Sequence, residues 1–277
     1  MYREEKHHGA NGFPFELYHN QCKNGLSLFT HYHREFEIIH ILSGSGTAYV
    51  DDECYNISTG DILFIASERL HGIVKNSDTQ GDYYAMVFAP EFLGVSDAVA
   101  DKYIAPILNK TLQIPTLIRH TELADCISQI TDLSNGALFE LKAKYVIFRI
   151  WEILISLSKP SKTNELPMNL SEIRTTIDYI KSNYSHKITL SQLADSANMS
   201  KEYFCRKFKD LTGVSPIHYL TQIRIENSCL LLKNTDSGIG DIAMDCGFSS
   251  FSYYSEIFKK YMACTPKAYR KKHSGKL

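Results

Sequence analysis

The residues best equipped for chemistry in this chain fall into two sets about fifty positions apart. Lys201, Glu202, Cys205, Arg206 and Lys209 recur at helical spacing behind Ser200, a good helix N-cap. Ser252, Ser255, Glu256, Lys259 and Lys260 do the same behind Ser249, the residue expected to cap the second segment. Cations in such a stripe pair with phosphates, while hydroxyls, guanidinium and carboxylate hydrogen-bond base edges. Alone, a lysine run is ordinarily a solvated helix face; duplicated in this setting, it suits a nucleic acid. No nucleophile elbow or phosphate loop occurs anywhere in the chain.

The elements that must position these residues are also duplicated. Leu193-Ala194, Asn198-Met199-Ser200, Phe204, Phe208-Lys209, Ser215-Pro216 and Tyr219 recur as Ile242-Ala243, Gly247-Phe248-Ser249, Tyr254, Phe258-Lys259, Thr265-Pro266 and Tyr269. The offset is 49 residues at the start and 50 at the end, so one residue has been inserted. Each copy reads as helix, sharp turn and second helix, with small Ala194 and Ala197 allowing close approach. Ser171-Glu172-Ile173 starts an earlier helix with Ile173, Ile177 and Ile180 inward, and Thr189 caps the next. Between the copies, Ile217 to Leu232 forms a rod of roughly 24 Å at about 1.5 Å per residue. That length can present two units to neighbouring turns of a duplex, spaced by about 34 Å.

Charge is divided accordingly. Residues 1–167 carry 14 Lys+Arg against 21 Asp+Glu, a balance of −7, and residues 168–277 carry 16 against 10, a balance of +6. Only the second half is suited to a polyanion. Seven cysteines without a C-x-x-C pair give neither a disulfide framework nor a zinc knuckle, and most are expected to be small buried hydrophobes. The N-terminal MYREEKHHGANG lacks the apolar run of a signal peptide, and Tyr145–Leu157 is too short to span a bilayer, so a soluble cytoplasmic protein is expected.

The first half reads as short strands. Glu37–Leu42 and Thr47–Val50 flank Ser43-Gly44-Ser45-Gly46, taken as a hairpin turn, and Ile62–Ile65 follows Ser58-Thr59-Gly60-Asp61. Even spacing of this kind suggests an antiparallel barrel or jelly roll. After Pro90 the period becomes helical, over Glu122–Leu133 and Ala137–Ser158. The later helix is apolar on more than one side, which predicts a homodimer contact through helices in residues 121–158. The fold class is therefore α+β. A barrel with accessory helices occupies residues 1–160, a polar linker 161–169, and an all-α double helix-turn-helix domain 170–277.

Cys246-Gly247-Phe248-Ser249, Tyr253-Tyr254-Ser255, Phe258-Lys259-Lys260, Thr265-Pro266 and Tyr269-Arg270 resemble the signature of the AraC/XylS family of bacterial transcription regulators. The resemblance covers about residues 170–272. It implies base contacts from Glu202, Cys205 and Arg206 in the first unit and from Ser252, Ser255 and Glu256 in the second. Arg206 would pair with guanine, and a glutamate would accept from cytosine. Two positions depart from the family pattern: Ala263 stands where glycine is usual, and Phe251 where a polar residue is common.

Gly25, His31-Tyr32-His33, Glu37 and Gly44 are spaced like the first cupin motif, and Gly60-Asp61 with His71 like part of the second. In metal-binding cupins the equivalents of His31, His33, Glu37 and His71 hold a divalent ion, and three imidazoles with one carboxylate suit Zn, Fe, Mn or Ni. Regulatory cupins often keep these types around a small-ligand pocket. The expectation here is such a pocket, with no cofactor and no resident metal; were an ion held, those four residues would hold it. Tyr49, Tyr84 and Phe88 are expected to help His31, His33, Glu37 and His71 bind the effector, with a sugar as the leading class by resemblance. The combined reading is a DNA-binding regulator switched by a small polar ligand, not an enzyme. The rivals are a metal-dependent cupin enzyme with an accessory DNA module and a structural nucleoid protein. Whether the ligand activates or represses is not written in the chain.

Overall fold

The structure, a computed structural model, describes residues 12–94, 98–133, 138–161 and 168–273. The first eleven residues and linker positions 162–167 lie outside the described residues, so the expectations placed there have no structural counterpart. The described residues fall into two compact units, one of residues 12–27 and 31–161, the other mainly of residues 168–273.

Among the described residues nine strands build the two larger sheets, the first eight being β1 (Phe15–Cys22), β2 (Leu28–His31), β3 (Phe36–Ser43), β4 (Ser45–Val50), β5 (Glu53–Ser58), β6 (Ile62–Ile65), β7 (His71–Lys75) and β8 (Gly81–Phe88). Helix α1 (Ala105–Leu108) and the short strands β9 (Leu112–Gln113) and β10 (Leu117–Ile118) follow. One sheet runs β1-β8-β3-β6-β10 and the other β2-β7-β4-β5. Strands β3 and β4 therefore belong to different sheets, which corrects the expected hairpin at Ser43–Gly46. A single residue, Gly44, separates them, and its φ of 95° turns a corner from one sheet to the other. The hairpin lies one strand later, where Val50 pairs with Glu53 across Asp51-Asp52.

Residues directly opposite across a ladder share a face, so the register sorts the side chains. Phe36, Ile38, Phe64, Met86 and Phe88 form one face of the five-stranded sheet. It is covered by α2 (Thr121–Leu133) and α3 (Phe139–Ser156), with Trp151 stacked 5.1 Å from Phe36. Glu37, Ile39, Ile41, Tyr83, Ala85 and Val87 form the opposite face and are buried. A Glu37–His71 hydrogen bond from β3 to β7 shows that this face meets the second sheet. Lys159–Pro160, the last residues expected in the barrel unit, pairs as β11 with β9.

The second unit is helical throughout: α4 (Met168–Asn183), α5 (Leu190–Ser196), α6 (Lys201–Thr212), α7 (Pro216–Asn234), α8 (Ile239–Asp245), α9 (Phe251–Met262) and α10 (Pro266–His273). Ile173, Ile177 and Ile180 of α4 are fully buried, as their spacing predicts. Thr189 caps α5 in a reciprocal capping box with Gln192. The connecting rod α7 has 19 residues, longer than expected, and spans about 28 Å. Its Tyr219 packs on Phe208 of the first copy, while Ile225 and Leu232 enter the core of the second. Among the described residues no helix is long and apolar enough to cross a membrane. The cysteine expectation needs correction: Cys126 and Cys246 are buried, Cys54 is exposed, and the others are intermediate.

Candidate functional site

Helix α6 starts where Ser200 Oγ accepts a hydrogen bond from the Tyr203 amide at 3.3 Å, and it ends at Gly213, left-handed at φ 75°. Phe204, Phe208, Leu211 and Thr212 are buried, which turns Lys201, Glu202, Arg206 and Lys209 to solvent and leaves Cys205 half-buried. Glu202, Cys205, Arg206 and Lys209 form a single i, i+3, i+4, i+7 stripe. The Arg206 guanidinium rests over the Tyr203 ring, 5.5 Å from its centre.

Helix α9 repeats this plan. Tyr254 and Phe258 are buried; Ser252, Glu256, Lys259 and Lys260 are exposed, and Ser255 is half-buried. Its N-cap is Ser250, whose Oγ accepts from the Tyr253 amide at 3.3 Å, and not Ser249. The residue that changes the repeat offset from 49 to 50 thus sits between core Phe248 and the cap, and Ser249 is displaced one position outside the helix. Exposed Tyr203 and Tyr253 occupy equivalent places on the two helices; Tyr203 was not named from sequence, and Tyr253 only within the family signature, with no role assigned. Their common position one residue before the buried aromatic was the available signal.

The turns are built differently. Asn198 takes the left-handed turn of the first unit at φ 53°, Gly247 that of the second at φ 81°. A Cβ on Gly247 would lie 2.6 Å from the Tyr184 carbonyl oxygen and 2.8 Å from that of Ser185. Arg224 of α7 explains this crowding: it donates to the carbonyls of Tyr184 and His186, both at 2.8 Å, and its guanidinium lies over Phe248. One side chain thereby ties the end of α4 to the second recognition turn.

In the β-unit, His31 ends β2, His33 lies in the loop after it, Glu37 is the second residue of β3, and His71 opens β7. Their donor atoms all fall within 4.8 Å of one another. His71 Nε2 and His33 Nε2 lie within hydrogen-bond distance of Glu37 Oε2, at 2.8 and 3.1 Å, and His31 Nε2 lies 4.0 Å from the same oxygen. Burial by itself would raise the Glu37 pKa, but the hydrogen bonds from His33 and His71 override it and hold the carboxyl well below its ordinary range. His71 also donates from Nδ1 to the Arg69 carbonyl at 2.8 Å. The Arg69 side chain is fixed in turn by Asp51 at 2.8 Å and Thr116 at 3.0 Å, and Asp51 accepts from the Leu70 amide.

The structure does not bring Tyr49 and Tyr84 to this cluster. Tyr49 pairs with Gly72, so it faces away from His71, the partner of Val50. Tyr84 pairs with His40, one residue out of phase with Glu37, and stacks on His19 at 4.6 Å. Phe88 lies with Phe36 on the helix-covered face. Tyr83 shares the inner face with Glu37 instead; burial above all, with Cys22 and Glu37 nearby, pushes its phenol pKa well above the ordinary value.

A helical unit with two exposed helix-turn-helix readers, carried with a β-unit that has a polar interior, defines a DNA-binding transcription regulator with a ligand-binding domain. Residues 13–150 match the AraC-like ligand binding domain, and residues 193–272 match a helix-turn-helix domain family. The chain belongs to the AraC/XylS family, and both domains are those of a regulator rather than an enzyme. It is 26% identical to the uncharacterized HTH-type transcriptional regulator YdeC of Bacillus subtilis, covering 92% of this chain and 90% of that one. It is 25% identical to the HTH-type transcriptional activator RhaR of Mannheimia succiniciproducens, covering 87% and 86%. The C-terminal domain of AraT, a response regulator from Geobacillus stearothermophilus, is 34% identical over 38% of this chain and 88% of that chain, with a TM-score of 0.37.

Proposed function

We propose that this regulator reads two adjacent DNA segments, with α6 and α9 each in a major groove and a small polar effector, a sugar, received at the histidine end of the barrel. Glu202, Cys205 and Arg206 are assigned to base edges in one segment, and Ser252, Ser255 and Glu256 to those in the other. Ser200, Lys201, Lys209, Ser249, Lys259 and Lys260 are assigned to phosphates, which position the protein without reading sequence. The supporting observation is the pair of capped, solvent-exposed helices with matching polar stripes. His31, His33, Glu37 and His71 supply the donors and acceptors that sugar hydroxyls require. Such a protein acts in the compartment that holds the DNA, the cytoplasm.

A homodimer forms through α3. Its Leu141, Tyr145 and Phe148 make an i, i+4, i+7 stripe that is 67%, 72% and 41% exposed, while Val146, Ile147, Ile150 and Trp151 fill the core side. Arg149, paired with Glu122 and Glu152, borders the stripe. The effector shifts the balance between dimer arrangements through its differential affinity for them.

Duplex binding by the full chain, followed against salt, tests the DNA half of this reading. A steep log-log decline is expected, and replacing Lys259 and Lys260 by Ala should flatten the slope by about 1.8, or 0.9 per lost phosphate contact. Binding indifferent to salt would refute it. A thermal-shift screen of sugars tests the effector half: a true effector raises Tm progressively with concentration, and a flat response across the series would remove sugars as the class.

A further inference from the structure

We propose that Phe251 is a base-reading residue of α9, packing its ring against the C5-methyl group of a thymine in the second DNA segment. The inference rests on the regulator reading above and adds a contact, and a base, that the polar residues assigned there do not supply. Helix α9 is capped by Ser250, so Phe251 is its first residue, and the side chain is 51% exposed. A single exposed apolar residue is ordinary on most protein surfaces. This one stands at the leading end of a recognition helix, the part that reaches base edges in helix-turn-helix proteins. Side chains of a helix tilt toward its N-terminus, so the ring projects ahead of the first turn.

Its neighbours on the helix agree with this role. At about 100° per residue, Phe251 lies roughly 40° from Ser255, four positions on, and so borders the stripe of Ser252, Ser255, Glu256 and Lys259. Its ring centre is 6.3 Å from that of buried Tyr254, at 50°, which props it from the core side. The two units differ at this point. Ser200 and Ser250 are equivalent caps, which makes Lys201 the counterpart of Phe251. A lysine in this place pairs with a phosphate or with guanine; a phenylalanine can do neither. The group in the major groove that suits an apolar ring is the thymine methyl, which only A·T pairs carry. The first segment is thereby read through charged side chains, Glu202 and Arg206, and the second partly through an apolar contact.

The test uses the full chain and the duplexes it selects from a random library. The second segment is the one whose preference Arg206→Ala leaves unchanged. Each thymine in it is replaced singly by deoxyuridine, which removes the methyl group and keeps every hydrogen bond. One replacement should weaken binding about fourfold, the equivalent of one buried carbon group. Phe251→Ala, verified as folded by circular dichroism, should bind the thymine and uracil forms of that duplex equally. If the variant fails to fold, 5-iodouracil at the same position, irradiated in complex with the unaltered chain, should crosslink to Phe251. Absence of any thymine sensitive to methyl loss, a sensitivity that persists in folded Phe251→Ala, or a crosslink to another residue would overturn the proposal. Two specified segments with no methyl effect would remove this contact and leave the paired readers standing. Loss of sequence preference altogether would remove both.

Discussion

Three residues that touch neither the proposed DNA contacts nor the histidine cluster show how closely the backbone constrains this sequence. Gly247 sits at φ 81° against two carbonyl oxygens, so Gly247→Ala adds both a left-handed penalty of about 1–2 kcal/mol and a clash. The expected result is an unfolding free energy lowered by at least that amount, read as a lower urea midpoint at unchanged m, and an unchanged midpoint would mean the turn is not built as described. Ala263 ends α9 in the left-handed region at φ 54°, where its counterpart in α6 is Gly213. Ala263→Gly should therefore stabilise by up to about 1 kcal/mol, the relieved strain less the extra chain entropy of glycine. Asp61 accepts from Arg119 at 2.7 Å and from the Ser58 amide at 2.9 Å; these bonds outweigh its burial and lower its pKa. A lowered carboxylate pKa stabilises the fold above the unfolded value of about 3.9 and ceases to do so as pH falls through the folded value. Denaturant midpoints should drop more steeply below pH 4 in the unaltered chain than in Asp61→Asn.

At the level of elements, caps and faces carry the predictions. Ser250→Ala should cost about 1 kcal/mol, the usual loss for an N-cap, whereas Ser249→Ala should cost almost nothing. Equal effects at the two positions would contradict the cap assignment. On α3, Tyr145→Lys places a charge in the exposed stripe without touching the core side. It should convert the proposed dimer to monomer in light scattering while leaving the melting curve of the barrel in place. Much of this was legible in the sequence. The buried aromatics of α6 and α9, the Thr189 cap and the isoleucine face of α4 follow from 3.6-residue periodicity and local side-chain chemistry. Strand faces were harder: Tyr49 and Tyr84 miss the cluster because facing depends on register, which pairing fixes and composition does not. Gly44 misled for a related reason, since a glycine corner between sheets and a hairpin turn look alike before the pairing is known. A one-residue insertion moved the cap because both candidates are serines.

For the molecule as a whole, the division into an acidic β-unit and a basic helical unit was readable from charge alone. The convergence of His31, His33, Glu37 and His71 on one locus needed a resemblance to suggest it and coordinates to display it. The supporting Asp51–Arg69 pair carried no sequence signal, because eighteen positions separate two residues of common type. The central claim is that α6 and α9 read DNA as a pair, and selection of duplexes from a random library by the full chain tests it most directly. The account predicts recovered sites with two short specified segments about one helical turn apart. Arg206→Ala should relax preference within one segment only, at a cost of about 1–3 kcal/mol for the base pair it contacts. Recovery of a single segment, or of no preferred sequence at all, would contradict it.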